Sequence, residues 1–218
     1  MASYFGNAGV AERRSGQPVV KEHNLNPDEA RLIERCKQKD LDAFDQLYGL
    51  YERRIYNFGL RMSGSTDDAE DVTSETFIRV FNAVQNFRGE ANFSTWVFRI
   101  AHNVFLDMRK KAKAHPQTSL QEAVELEESE VTRQIVDPNP QPQQVAQQRE
   151  LNKILQEAID SLPDYQKTMV VLYHTQNKSY EDIADIMNLP IGTVKSRLNR
   201  ARIALKSKLQ SIRELFES

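Results

Sequence analysis

The sequence has few of the residues that build covalent or metal-stabilised folds. It contains one cysteine, four histidines and only eight glycines among 218 residues. The single cysteine, Cys36, excludes an internal disulfide framework and is typical of a protein in a reducing cytoplasm, where we expect this chain. The histidines and Cys36 are scattered, so the sequence shows no metal-ligand spacing. No apolar run approaches the roughly 18 residues of a membrane span.

Strand signals and catalytic motifs are also missing. The low glycine content and the lack of β-branched alternation predict an all-α protein. Residues 1–26 contain no apolar signal core, and we expect them to form a disordered extension. We find no Ser/His/Asp or Cys/His constellation and no Gly-rich phosphate loop, so we expect neither an enzyme nor a cofactor.

Positive charge is concentrated near the C-terminus. The formal net charge of the chain is −2, yet residues 193–208 contain six Lys or Arg and no acid. An apolar stripe at i, i+4, i+7 and i+11 runs through the same segment, formed by Val194, Leu198, Ala201 and Leu205. Together with the preceding helical run and the break at 189–192, this pattern predicts a helix-turn-helix over 179–208. A plain amphipathic hairpin with a solvated basic face is the alternative.

The rest of the chain divides into two helical units. Residues 27–112 show four amphipathic helical runs and form the predicted first domain. Residues 113–148 contain four of the eight prolines and have a net charge of −4, which is typical of a linker. Helical patterning resumes in the predicted second domain, 149–218.

Five segments resemble the extracytoplasmic-function (group IV) sigma factors of bacterial RNA polymerase, in the sigma-70 family. They are AFDQLYGLYERRIYNFGLRM (43–62), DAEDVTSETFIRVF (68–81), FSTWVFRIAHNVFLDMRKK (93–111), LPDYQKTMVVLY (162–173) and SYEDIADIMNLPIGTVKSRLNRARIALK (179–206). Their co-occurrence in this order covers nearly the whole chain after the first 25 residues or so. The resemblance implies two small helical domains, region 2 and the helix-turn-helix region 4, joined by an extended linker.

By this resemblance, the basic helix contacts the −35 promoter element. The residues implied for this contact are Thr193, Lys195, Ser196, Arg197, Asn199, Arg200 and Arg202. A bidentate arginine–guanine contact contributes roughly 1–3 kcal/mol of discrimination. Asn199 stands where other members carry aromatic or different residues, so the promoter sequence does not transfer in detail.

The loop 87–92 and the helix after it are the implied −10 readers, which capture an unstacked base of the non-template strand. The implied residues are Arg88, Gly89, Glu90, Asn92, Trp96, Arg99, Asn103, Arg109 and Lys110. Two simpler readings stay open, since the loop suits an ordinary inter-helix turn and Trp96 suits core packing. His102 lies where many relatives carry arginine, which weakens a phosphate contact at that position.

The acidic helix start at Asp67 to Glu75 is the implied binding surface for core polymerase. It would dock on the clamp helices of the largest subunit through Asp68, Asp71, Thr73, Ser74 and Thr76. Acids at a helix start also serve as caps and solvated charges, which is the alternative reading. The resemblance further implies contact with the flap region, promoter DNA and an anti-sigma factor.

The state of the linker and the function of the chain each have an alternative. The two promoter elements lie roughly 70 Å apart, at about 34 Å per turn of DNA. The predicted linker extends to about 120 Å but relaxes to roughly 30–36 Å as a flexible coil, so it must be held extended or act as a disordered tether. A stand-alone helix-turn-helix regulator that needs no polymerase is the competing function.

Overall fold

The computed structural model describes residues 27–114 and 153–217, and these residues are helical apart from short turns. The predicted extension 1–26 and the predicted linker, except its first two residues, lie outside the described residues. No strand occurs in the described ranges, which confirms the all-α prediction. The elements are α1 (Pro27–Lys37), α2 (Leu41–Ser63), α3 (Thr66–Ala83), a 3₁₀ turn (Val84–Asn86), α4 (Phe93–Ala114), α5 (153–160), α6 (Asp164–His174), α7 (Tyr180–Met187) and α8 (Ile191–Glu217).

Local sequence signals set the helix ends in the first domain, α1–α4. Asp40 accepts a hydrogen bond from the Ala43 amide and caps α2. Gly64 ends α2 with φ of 75°, a left-handed conformation that favours glycine. Ser65 then accepts a hydrogen bond from the Asp68 amide and caps α3. Gly64 and Ser65 therefore separate two of the helical runs predicted in this domain.

Aromatic side chains fill the core of the first domain. Phe58 and Phe98 are fully buried and meet edge to face at 5.8 Å between ring centroids. Each fully buried aromatic or aliphatic side chain contributes about 1.5–3 kcal/mol to folding. Helices α2 and α3 approach closely at Gly59, where an added Cβ would lie 3.0 Å from Cα of Ala69. This core fixes the orientation of α3 and α4, which carry the predicted binding surfaces.

The second domain contains the predicted helix-turn-helix, formed by α7 and α8. Ser179 and Asp182 form a reciprocal capping box at the start of α7. Asn188 ends α7 in the left-handed conformation, and Pro190 lies immediately before α8. Val194, Leu198 and Ala201 are completely buried and Leu205 is partly buried, as the apolar stripe predicts.

The two domains pack against each other. Helix α4 lies against α7, and α2 lies against α6. Nη1 of Arg61 in α2 donates a hydrogen bond to Oε1 of Gln156 in α5 at 2.7 Å. The buried side chains of both domains form one continuous cluster. The described chain is therefore a closed pair of domains.

Candidate nucleic-acid interface

The outward face of α8 presents the polar side chains predicted to contact DNA. Lys195, Ser196, Asn199 and Arg200 are all exposed, because the buried stripe occupies the opposite side of the helix. Thr193 is half-buried at the first turn, and its carbonyl accepts a hydrogen bond from the Ser196 hydroxyl. The exposed four residues form a compact surface with two cations and two uncharged hydrogen-bonding groups. Such a surface matches the donors and acceptors displayed in a DNA groove.

Arg202 of the predicted DNA-binding set is held inside the domain. Its guanidinium lies 4.6 Å from the ring centroid of Tyr173, and its Nη1 donates a hydrogen bond to the Tyr180 hydroxyl. Tyr173 and Tyr180 are stacked at 5.2 Å. The hydrogen bond from Arg202 lowers the pKa of Tyr180. Arg202 thus connects α8 to both α6 and α7.

Arg197 has a similar aromatic partner. Its guanidinium carbon lies 5.0 Å from the ring centroid of Tyr165 in α6. Both arginines are half-buried, whereas Arg200 is exposed. Among the arginines predicted at the −35 element, Arg200 has the most accessible side chain, and the other two orient the helix.

Alanine at Arg202 is expected to loosen α8 locally. A cation–π contact at a partly exposed site contributes about 0.5–1 kcal/mol, so amide exchange in α8 should accelerate by roughly two- to fivefold. Hydrogen exchange of the full chain measures this directly. Arg200→Ala is the matched control and should leave the exchange rates unchanged. Equal exchange in both variants would contradict the anchoring role of Arg202.

The predicted −10 residues lie on and just before α4. Gly89 has φ of 74°, so the loop 87–92 contains one left-handed turn position. The Asn92 side chain accepts a hydrogen bond from the Ser94 amide and orders the entry into α4. The exposed members of the set are Arg88, Gly89, Glu90, Arg99, Asn103, Arg109 and Lys110. Trp96, Arg99 and Asn103 are spaced at i, i+3 and i+7 and share one side of the helix.

Trp96 combines a core contact with an accessible surface. Its ring packs on Phe87 and Phe93 at centroid distances of 5.2 and 5.4 Å. The side chain is only half-buried and lines an open cavity together with Arg88 and Arg99. The position of Trp96 is therefore compatible with core packing and with stacking on DNA, because one part of the ring packs and another part is accessible.

Two residues near this face already have their polar groups buried or paired, His102 by burial and Arg109 by an ion pair. His102 is buried, and its Nδ1 has no hydrogen-bond partner among the described residues. Burial lowers the pKa of His102 to about 4, so its imidazole is neutral at physiological pH. It cannot supply the positive charge of an arginine at that position. Arg109 forms an exposed ion pair of 3.4 Å with Asp164 of the second domain, which is a weak contact.

The predicted polymerase-binding face on α3 is narrower than the sequence indicated. Thr73 and Thr76 are buried, and their hydroxyls donate hydrogen bonds to the Ala69 and Val72 carbonyls of their own helix. These two threonines face the core, so their side chains are not available to a partner. Asp68, Asp71 and Ser74 are exposed, as a docking surface requires.

An exposed isoleucine extends the α3 face beyond the predicted set. Asp67, Asp71, Ser74 and Ile78 are spaced at i, i+4, i+7 and i+11 and form one exposed row, the α3 stripe. Ile78 is 56% exposed at the end of the row. Its helical spacing from Asp67 was the available signal, since a single exposed apolar side chain is ordinary at a protein surface and does not by itself mark an interface.

Over residues 27–114 and 153–217, no three His, Cys, Asp or Glu side chains are grouped as metal ligands. Within the same ranges, no helix has the length and apolarity needed to cross a bilayer.

The fold and its exposed basic helix define a helix-turn-helix DNA-binding protein with a second, packed helical domain. Known families match both domains: Sigma-70 region 2 covers residues 47–115, and Sigma-70 region 4 covers residues 152–205. The chain is 35% identical over 183 residues to the ECF RNA polymerase sigma factor SigW of Bacillus subtilis, covering 84% of this chain and 97% of SigW. It is 34% identical to the ECF sigma-E factor of Haemophilus influenzae, with 83% and 95% coverage. The chain belongs to the ECF sigma factors, which are transcription initiation factors.

Two solved structures share this architecture. CnrH, solved in complex with the cytosolic domain of CnrY, has a TM-score of 0.61 at 19% identity, covering 85% of this chain and 99% of CnrH. RpoE of Bartonella quintana, solved in complex with the anti-sigma factor NepR, has a TM-score of 0.56 at 27% identity, with 77% and 96% coverage. The first likeness supports the fold alone.

Proposed function

We propose that this sigma factor directs core RNA polymerase to promoters through two separate DNA-reading surfaces. The carrying observation is the exposed set Lys195, Ser196, Asn199 and Arg200 on α8. It suits a −35 element, because bidentate and single hydrogen bonds from such side chains read base edges in the major groove. The chain itself performs no catalysis, which belongs to the polymerase, and it acts in the cytoplasm.

The loop 87–92 and α4 read and melt the −10 element. Arg99 and Asn103 supply a donor surface for the separated strand, and the partly free ring of Trp96 is available for stacking. Base–aromatic stacking contributes about 1–3 kcal/mol per base in single-strand binding. The left-handed turn at Gly89 allows the loop to approach a flipped base closely.

Helix α3 docks on core polymerase through the α3 stripe. Its carboxylates suit a basic partner surface, and Ile78 supplies the apolar contact that stable interfaces require. We place the partner surface on the clamp helices of the largest subunit, with region 4 near the flap. An anti-sigma factor is a further expected partner, since RpoE of Bartonella quintana was solved with one.

Run-off transcription with purified core polymerase and a randomised promoter library tests this function. We expect transcripts only from templates that share two short elements about two helical turns apart. The competing function, a stand-alone regulator, predicts tight sequence-specific binding by the chain alone and no polymerase-dependent initiation. Initiation that is equal with and without the chain would contradict the proposal.

A further inference from the structure

A buried lysine of the second domain inserts into the first domain. Lys178 is 6% exposed, and its Nζ donates a 2.7 Å hydrogen bond to Oγ of Ser94 at the start of α4. The same ammonium lies 4.9 Å from the ring centroid of Phe98. The preceding residue, Asn177, has a left-handed backbone with φ of 51°, which turns the chain immediately before Lys178. The contact is specific, because both polar partners are buried and paired.

A second polar contact lies beside the first. Oγ1 of Thr95 donates a 2.6 Å hydrogen bond to Oδ1 of Asp182 at the start of α7. Thr95 is 2% exposed and immediately precedes Trp96, so α7 covers the first turn of the helix that reads the −10 element. Burial raises the pKa of Asp182, but the hydrogen bonds from Thr95 and Ser179 outweigh it and lower the pKa overall. Asp182 is therefore a charged acceptor in the contact. We name Lys178, Asp182, Ser94 and Thr95 the domain seam.

One further α7 carboxylate also faces the cations of the reading surface. Asp185 lines a cavity of about 280 Å³ whose other walls include Arg88, Trp96 and Arg99. A phosphate of a bound strand would carry the same negative charge into this space. The cavity is open, so Asp185 and a DNA strand would compete for the same neighbourhood.

The closed arrangement also prevents simultaneous reading of both promoter elements. Lys195 lies thirteen positions after Asp182, a separation of at most about 45 Å even for a fully extended chain. The two elements lie roughly 70 Å apart along the DNA. While Asp182 contacts Thr95, the α8 surface therefore cannot reach the −35 element at the same time as α4 contacts the −10 element.

We propose that α7 is an intramolecular occupant of the single-strand-reading face, so that the domain seam and promoter DNA bind α4 in competition. This inference rests on the proposed −10 role of α4. In the closed chain, the carboxylate of Asp185 occupies the region where strand phosphates would lie, and Asp182 holds α7 on the first turn of α4. The α8 surface stays exposed in the same state, so closure blocks −10 reading and leaves −35 contact possible.

Opening of the domain seam relieves a desolvation cost at Lys178. Burial, and then the nearby positive charge of Arg54, lower the pKa of Lys178 to about 8, although Asp182 and Glu29 oppose the shift. The ammonium therefore carries a desolvation cost while the domains are closed, and that cost is recovered when they separate. A binding partner such as core polymerase needs to supply only part of the opening free energy.

Two variants with opposite charge changes, one in the domain seam and one in the adjoining cavity, test the proposal in the full chain. Lys178→Glu places a carboxylate beside Asp182, and Asp185→Lys places an ammonium beside Arg88 and Arg99. Small-angle scattering should show a larger radius of gyration for both variants than for the wild type. Both should also bind a fluorescent single-stranded decamer pool more tightly, by about tenfold if the wild-type chain is open one-tenth of the time.

Matched controls remove the effect of charge alone. Lys208→Glu and Glu181→Lys make the same charge changes at exposed positions of α8 and α7. Charge alone predicts weaker DNA binding for Lys178→Glu, so tighter binding than Lys208→Glu supports the seam. Asp185 is exposed, so its variant tests the competition even where the buried substitution at Lys178 disturbs folding.

The proposal is overturned if the wild-type chain already scatters as an extended pair of domains. It is equally overturned if the variants stay compact, or expand without binding the decamer pool more tightly than their controls. Run-off transcription by the wild-type chain reports on the proposed function independently. If the wild type supports transcription but the Lys178 and Asp185 variants show no gain in decamer binding, only the competition is rejected. No transcription by the wild type rejects the proposed function itself.

Discussion

The double variant Lys195→Ala, Arg200→Ala is expected to lose promoter-specific transcription while keeping its affinity for core polymerase. Both side chains are exposed on the outward face of α8, opposite the buried stripe. A bidentate arginine contact contributes about 1–3 kcal/mol, and a lysine contact adds a salt-dependent term. Together their loss should reduce −35 affinity by roughly a hundredfold or more. Run-off transcription and a core-binding assay on the same preparations measure the two effects.

Lys206→Ala with Lys208→Ala is the control for this variant. It removes the same charge from the later turns of α8, where both lysines are exposed. We expect a modest, salt-sensitive decrease in DNA affinity and continued initiation at the same start sites. Unchanged run-off by the Lys195 and Arg200 variant would contradict the role given to the α8 surface.

Helical periodicity accounts for the part of this surface that the sequence predicted well. Residues at i, i+4 and i+7 face one side of a helix, so a stripe ending in Leu198 and Ala201 fixes which residues face outward. The turn was readable for the same local reasons, since Ser179, Asn188 and Pro190 each have strong backbone preferences. These features depend on neighbours within a few positions, and the structure confirms them.

Residue type was a poor guide where a polar side chain has a partner in its own helix. Thr73 and Thr76 read as surface residues, yet a threonine hydroxyl can bond to the carbonyl four residues earlier and be buried. Nothing in the sequence indicated the tyrosine partners of Arg202, which come from α6 and α7. Only the packing of three helices brings these groups together.

The domain seam could not be predicted from sequence at all. Lys178 and Ser94 are 84 residues apart, and Thr95 and Asp182 are 87 apart. No periodic or motif signal links positions so distant, and the resemblance described two domains reading separate elements. The contact depends on the tertiary fit of α4 against α7.

Asp71→Lys combined with Ile78→Ala is expected to weaken binding to core polymerase by at least a hundredfold. The reversed charge would face a basic partner, where like-charge contacts cost several kcal/mol, and the truncation removes an exposed apolar contact of the α3 stripe. Fluorescence titration of labelled chain with core polymerase measures the affinity. Thermal unfolding should change little, because both side chains are exposed.

The matched control makes the same substitutions on α2. Asp45 and Leu50 are exposed there, and Asp45→Lys with Leu50→Ala should leave the affinity for core polymerase within about twofold of the wild type. Thr76→Val then separates the α3 stripe from the broader face predicted by sequence. Its hydroxyl bonds to its own helix, so valine should leave polymerase binding intact. A large loss with Thr76→Val, or none with Asp71→Lys and Ile78→Ala, would show that core polymerase contacts a different side of α3.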